Sequence, residues 1–387
     1  MKYDFDNPID RRGTYSVKHG FAAAGKPDDV LPLWVADMDF LTPPCVTEAL
    51  AETIKHGIYG YSVPDSGYYE AVQGWFLHRF GWRTEREWFL ITPGVVTAIY
   101  MAIRALTEPG DGIVIQQPVY HPFEHSVRNT GRKLLVNELL YDGVRYSIDF
   151  DDFEQKIKQA GLFILCSPHN PVGRVWTRDE LSRMAEICLQ NNVVIVSDEI
   201  HQDFVYAGHR HHVLAGLDPG FADITITCTA PSKTFNIAGI HHSNILISNM
   251  EIREKYAKEC AGCGLSMAGL MGIVACRAAY ERGEEWLEEL ISYLDGNMAL
   301  IREFLQSRIQ KIKLVDPEGT YLAWLDFREL GLPVKELDGM ILQKAKLWVN
   351  NGAMFGMGGA GFYRVNTACP RSVLREGLDR LASVFGD

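Results

Sequence analysis

The sequence has no uninterrupted apolar run of membrane-spanning length, so no membrane partner is expected. It has no excess of positive charge either: 38 Lys and Arg stand against 49 Asp and Glu, a formal net charge of −11. A polyanion such as nucleic acid would be repelled overall, although a small anionic ligand needs only a local basic pocket. The opening MKYDFDNPID is acidic and lacks the basic and then apolar stretches of a secretory leader, so a cytoplasmic location is expected. No internal repeat or low-complexity tract is visible. The eight cysteines (45, 166, 188, 228, 260, 263, 276 and 369) follow no disulfide-framework spacing, and several sit in apolar stretches such as LFILCS and ITITCTA. Cys260 and Cys263 form a lone CxxC without a second ligand pair, so reduced and mostly buried thiols are expected. The histidines of HRHH (209–212) and the pair His241-His242 lack carboxylates or cysteines at metal-ligand spacing. They read as surface or loop histidines, and no metal site is expected.

What the sequence does have is apolar material for a large core, 47% over 387 residues, and a length that predicts two lobes. From about Trp88 to Ser248 short β-rich runs alternate with helical stretches. The runs are GIVIQQ (112–117), LFILCS (162–167), VVIVSD (193–198), ITITCT (224–229) and SNILIS (243–248). Each is nearly continuously apolar, as strands covered on both faces are. Asp151–Gln159 and Arg178–Gln190 read as intervening helices with acidic residues near their starts. The pattern predicts a mainly parallel, layered α/β domain, in which ligands collect beyond the carboxyl ends of the strands. Beyond about Ala268 the pattern predicts a smaller α+β lobe. It comprises a helical stretch over 281–309, a strand over 319–327, a helix over Lys335–Val349, a strand over 361–368 and a terminal helix from about Arg371. The first 40 or so residues can pack with either lobe.

Three of the runs deliver polar side chains to one rim. They are followed by Ser167-Pro168-His169-Asn170-Pro171, by Ser197-Asp198-Glu199-Ile200-His201 and by Ala230-Pro231-Ser232-Lys233-Thr234. Most lysines are solvated, but Lys233 lies just past a buried strand. Desolvation and a nearby cation would lower its amine pKa from ~10.4 and let it act as a base. Taken alone, Asp198 also fits an N-cap or a turn, and Asn170 a Pro-flanked turn. Arg364 lies inside the otherwise apolar GFYRVNTA and needs an anionic partner, either a buried structural carboxylate or a ligand held bidentately.

Asn170, Asp198 and Lys233 are separated by 28 and 35 positions. That pattern resembles the fold-type-I pyridoxal-phosphate (PLP) enzymes of the aspartate aminotransferase superfamily, and the likeness covers essentially the whole chain. More closely, the chain resembles the MalY/PatB-type cystathionine β-lyases. The matching stretches are LPLWVADMDF (31–40), PGVVTA (93–98), PVYHPF (118–123), SPHNPVGRVW (167–176), SDEIH (197–201) and APSKTFNIAG (230–239). The resemblance implies an α/β fold with a large PLP-binding domain (45–285) built on a mainly parallel sheet. A small α+β C-terminal domain (286–387) would follow, and an N-terminal segment (1–44) would pack with the small domain and the active site. It implies a Schiff base to Lys233, Asp198 on the pyridine nitrogen, Asn170 on the ring oxygen and Tyr120 stacked on the ring. The phosphate would take backbone N–H groups of Val95 and Val96 at a helix start, with the Ser232 hydroxyl nearby. Tyr61 matches a tyrosine lent to the neighbouring subunit's phosphate, which implies a homodimer with shared sites. Ala36, Asn170 and Arg364 would hold an amino-acid substrate.

The implied reaction is β-elimination from L-cystathionine or another cysteine S-conjugate, releasing a thiol, pyruvate and ammonia. An aminotransferase, which shares every step up to the Cα carbanion, is the alternative. A regulatory or interaction protein on the same fold is a third reading. Three positions depart from relatives. His201 stands where aspartate aminotransferase has a ring-oxygen-binding tyrosine, Ala230 replaces a phosphate-binding serine, and His121 replaces a second tyrosine of some relatives.

Overall fold

A run in which successive residues are all apolar can be covered on both faces. The strands Gly112–Gln117, Thr225–Thr229 and Ser243–Ile247 are buried at every residue. The computed structural model describes residues 2–20, 24–27 and 29–386. Its central sheet has seven strands, in the order Phe89–Thr92, Ser243–Ile247, Thr225–Thr229, Val194–Asp198, Ala160–Cys166, Gly112–Gln117 and Lys133–Glu138. The five from Thr225–Thr229 to Lys133–Glu138 are parallel, as expected. Ser243–Ile247 runs antiparallel to both its neighbours. The connection into it carries the Lys233 loop in place of a crossover helix, so the chain returns reversed.

Alternate side chains of these strands feed two cores. Ile113, Ile115, Ile164 and Val196 pack with Val95, Ile99 and Ala102 of the helix Val95–Leu106. Val114, Phe163, Leu165 and Ile195 pack on the other side with Phe153, Leu181 and Met184. Each fully buried aliphatic side chain contributes roughly 1.5–3 kcal/mol. The helix Arg178–Gln190 begins where the sequence placed it, on a capping box of Thr177 and Glu180.

The second sheet is antiparallel, in the order Lys313–Leu314, Leu322–Asp326, Phe362–Asn366 and Asn350–Asn351. Helices Glu284–Arg308 and Arg371–Phe385 cover it through Ile301, Phe304, Leu374 and Leu378. Two expectations are corrected here. The helical stretch over 281–309 is not continuous: one helix ends at Arg282, and the next starts at Glu284. Gly283 lies at the break, where a Cβ would come within 2.5 Å of both the Ala279 carbonyl oxygen and the Phe235 ring. The helix expected over Lys335–Val349 ends at Lys344. Lys346 takes a left-handed φ of 53°, and Leu347–Trp348 then pairs in parallel with Leu31–Pro32. That partner lies more than 300 residues away in sequence, so local periodicity could not reveal it.

The N-terminal segment is bound to the C-terminal part at a second point, where Phe5 packs on Phe40, Trp286 and Tyr293. All eight cysteines are free, and all but Cys263 are buried. Among the described residues no helix is long and apolar enough to cross a membrane.

Candidate active site

Cys166, Asp198 and Cys228 are in register at the ends of three adjacent parallel strands, so the segments that follow them converge. They border a cavity of about 500 Å³. Of the residues expected to hold cofactor or substrate, all but Tyr61 line it. Tyr61 is 96% exposed, on the stretch between helices Pro44–His56 and Ser66–Phe80.

The cavity holds three charged groups with unusual surroundings. Asp198 is buried, and its Oδ1 accepts the Ile200 N–H at 3.1 Å. Burial pushes its pKa up to about 7, against a smaller opposing pull from that N–H and from Lys233. Lys233 sits on the one-turn helix Pro231–Thr234, and its Nζ donates to the Ala36 carbonyl at 2.6 Å. Burial brings the amine down to about 8. The next residue fixes the loop, since Thr234 Oγ1 donates to buried Asp203 at 2.7 Å. Arg364 is buried and donates to three neutral oxygens: Asn170 Oδ1 at 3.0 Å, Asn350 Oδ1 at 2.7 Å and the Trp34 carbonyl at 3.0 Å. Its Nε has no hydrogen-bond partner, and burial lowers its pKa to about 10. Of the two partners left open by the sequence, a structural carboxylate is not what the structure supplies. A buried cation ringed by dipoles favours an incoming anion.

Neutral groups complete the lining. Tyr120 is anchored through its backbone N–H to the Asn170 carbonyl at 3.0 Å, and burial raises its phenol pKa. Burial holds the His201 imidazole neutral, far below its ordinary range, and its Nδ1 lacks a hydrogen-bond partner. Val95 and Val96 open a twelve-residue helix behind Gly94, where no side chain caps the first turn. Free N–H groups at such a start suit an anion. Together these groups could hold an aromatic aldehyde that carries a phosphate. Burial lowers the amine to about 8, the buried carboxylate lacks an ion-pair partner among the described residues, no side chain among the described residues caps the helix start and a phenol lies alongside. That donor set fits PLP.

Residues 28–381 match the family described as aminotransferase class I and II. The chain belongs to that family. Within it, the chain is similar to the cystathionine β-lyase PatB of Bacillus subtilis, 45% identical over 99% of this chain and 100% of that protein. Its structure resembles cystalysin from Treponema denticola, which contains a pyridoxal 5'-phosphate cofactor; the TM-score is 0.96 at 39% identity, over 99% of each chain. It also resembles the PLP-bound C–S lyase of Staphylococcus hominis, with a TM-score of 0.93 at 32% identity over 100% of this chain and 98% of that one.

In this class I and II chain several site residues escaped sequence reasoning. Asn350 reaches Arg364 by cross-strand pairing, and Trp34 contributes a backbone carbonyl. Tyr321 donates to the same Ala36 carbonyl as Lys233, at 3.0 Å. No local pattern marks Asn350 or Tyr321, whereas Trp34 lies within the quoted LPLWVADMDF. Of the histidines read as surface or loop groups, two lie in loops but are buried. His211 is buried with its Nε2 2.8 Å from Glu199, beneath Asp198 in the chain. His242 is buried against the Tyr68 hydroxyl at 2.7 Å, and burial lowers its pKa to about 4. The HRHH and His-His patterns disclose neither the burial nor these partners.

Proposed function

We propose that this chain is a PLP-dependent carbon–sulfur β-lyase that cleaves L-cystathionine or another cysteine S-conjugate to a thiol, pyruvate and ammonia. One observation carries the reading: an amine with a pKa near 8 and a guanidinium without a carboxylate partner among the described residues open into the same cavity. The lyase names of full-length relatives support the choice of reaction.

When bound, PLP supplies an aldehyde that condenses with amines and a cationic ring that withdraws electrons from Cα. Lys233 would anchor the aldehyde and Asp198 would pair with the ring nitrogen. Asn170 and His201 would lie by the ring oxygen, Tyr120 on the ring face, and Val95, Val96 and Ser232 at the phosphate. Arg364 grips the substrate α-carboxylate, oriented by Asn170, Asn350 and the Trp34 carbonyl. Ala36 contributes its carbonyl, which holds the Lys233 amine in place. As a free amine whose pKa burial lowers to about 8, Lys233 takes the Cα proton, and the sulfur on Cβ leaves with the bonding pair as a thiolate. Addition of water to the remaining three-carbon fragment yields pyruvate and ammonia.

The working unit in this reading is a homodimer in which Tyr61 reaches the phosphate of the neighbouring site. Its support is the exposure of Tyr61 together with Ile58, Tyr59 and Val63, an apolar patch that does not face its own cavity. We assign residues 45–285 to cofactor binding, 286–387 to a smaller lobe and 1–44 to a segment packing with that smaller lobe and the active site. The cytoplasm is the proposed compartment, in keeping with eight free thiols. The test supplies L-cystathionine to the PLP-loaded protein and follows pyruvate and free thiol. Equal amounts of both over many turnovers are expected. A single stoichiometric conversion of the cofactor to its amine form, with no thiol, would overturn the reading.

A further inference from the structure

The N-terminal segment carries a charge cluster that the chemistry above does not use. Arg11 forks onto Asp37, with Nη1–Oδ1 at 3.1 Å and Nη2–Oδ2 at 2.6 Å. The same Nη1 donates to Asp39 Oδ1 at 2.8 Å and to the Met38 carbonyl at 3.2 Å. Lys18, fully buried, binds the other oxygen of Asp39 at 2.5 Å. Asp39 thus has two cationic partners, while Asp37 is paired with Arg11.

Asp37 directly follows Ala36, whose carbonyl accepts the Lys233 amine at 2.6 Å. Asn236, three residues past Lys233, fastens the same strip by accepting the Met38 N–H at 3.0 Å and donating to the Met38 and Phe40 carbonyls at 3.1 and 2.8 Å. A carboxylate is therefore pinned close to the reactive amine. Alone, it would favour the protonated amine and hold its proton. A guanidinium forked onto it holds that carboxylate in place and opposes part of its field.

We propose that Arg11 is a positioning residue: by holding and neutralising Asp37 beside the Ala36 carbonyl, it keeps Lys233 able to give up its proton near neutral pH. The inference rests on the role assigned to Lys233 above. The charged and titratable groups that act on Lys233 are Asp37, Arg364 and Asp198, with His201 beside it. Those facing Asp37 are Arg11, His19 and Tyr321. Asp198, His201 and Arg364 would contact cofactor or substrate, so the Arg11–Asp37 pair is the one that can be altered with the contents of the site unchanged.

The test is a pH titration of the absorption band above 400 nm in the PLP-loaded protein, for wild type, R11Q, D37N and R11Q/D37N, alongside pH profiles of kcat/KM. R11Q leaves a bare carboxylate, so its midpoint should rise by about one pH unit, and the acid limb of kcat/KM should move the same way. D37N leaves Arg11 sharing Asp39 with Lys18, so the cluster gains one net positive charge and its midpoint should fall. The double variant should return close to wild type, and R11K should restore part of the R11Q shift. If R11Q does not fold, D37N decides alone: its midpoint must fall. Midpoints that stay fixed while melting temperatures drop would overturn the proposal and leave Arg11 a structural residue. So would shifts of the same sign in both single variants. A wild type with no band above 400 nm would instead overturn the Lys233 assignment itself, and this inference with it.

Discussion

Two buried groups with no ion-pair partner among the described residues, Asp198 and Arg364, set the character of the cavity, and each makes a prediction. The folded-state pKa of Asp198 is raised to about 7 from the ordinary 3.8, so the cofactor-free fold retains a proton that the unfolded chain gives up near pH 4. Its contribution is therefore lost as pH rises from about 4 to about 7, a penalty of order 4 kcal/mol when complete. Asp198→Asn removes that dependence. Cofactor-free wild type should lose melting temperature relative to the variant between about pH 4 and pH 7, and parallel curves would contradict the account. Arg364→Gln should cost roughly 2–4 kcal/mol of substrate binding, a rise in KM of about thirty- to several-hundred-fold, with the cofactor band unchanged. Titrating amino-acid substrate against the band and against turnover checks both parts. Lys233, Asp198 and Arg364 stood out in the sequence as charged side chains at the end of, or inside, apolar runs, but their roles came from the spacing with Asn170 and the resemblance that it carries. The groups that orient them were not: the Trp34 and Ala36 contacts come from backbone carbonyls, and Asn350 acts through strand register.

At the scale of elements, Gly283 separates two helices and lets the Phe235 ring approach the chain. A methyl group there would meet the Ala279 carbonyl oxygen, which is backbone and cannot turn away, as well as the ring. Gly283→Ala should destabilise the fold by about 1–3 kcal/mol, visible as a thermal midpoint lowered by a few degrees. An unchanged midpoint would show that the helix junction yields easily. The five strand runs of the α/β part were readable because burial on both faces demands continuous apolarity, which no surface helix shows. The helix Arg178–Gln190 was readable from its acidic first turn. By contrast, the helix ending at Lys344 and the strand pairing that follows it depend on one left-handed residue, Lys346, and on a partner at Leu31–Pro32. The reversal of Ser243–Ile247 likewise depends on what its connection carries, not on its own composition.

At the scale of the whole molecule, the exposed Tyr61 and the cavity that excludes it require a second copy if both belong to one reaction. Mixing subunits that carry Tyr61→Ala with subunits that carry Lys233→Ala should form hybrids with one intact site. Equal mixing should then recover about a quarter of wild-type turnover from two nearly inactive proteins. No recovery after subunit exchange would place Tyr61 outside the neighbouring site. The central claim is narrower: one lysine, seated against the Ala36 carbonyl, both anchors the cofactor and draws the proton that starts loss of sulfur. The most direct measurement is Lys233→Ala, reconstituted with PLP and examined for its absorption above 400 nm and for pyruvate release from L-cystathionine. The account predicts loss of the lysine-linked band and a fall in turnover of at least about a thousandfold. Near-normal pyruvate release from the variant would contradict it.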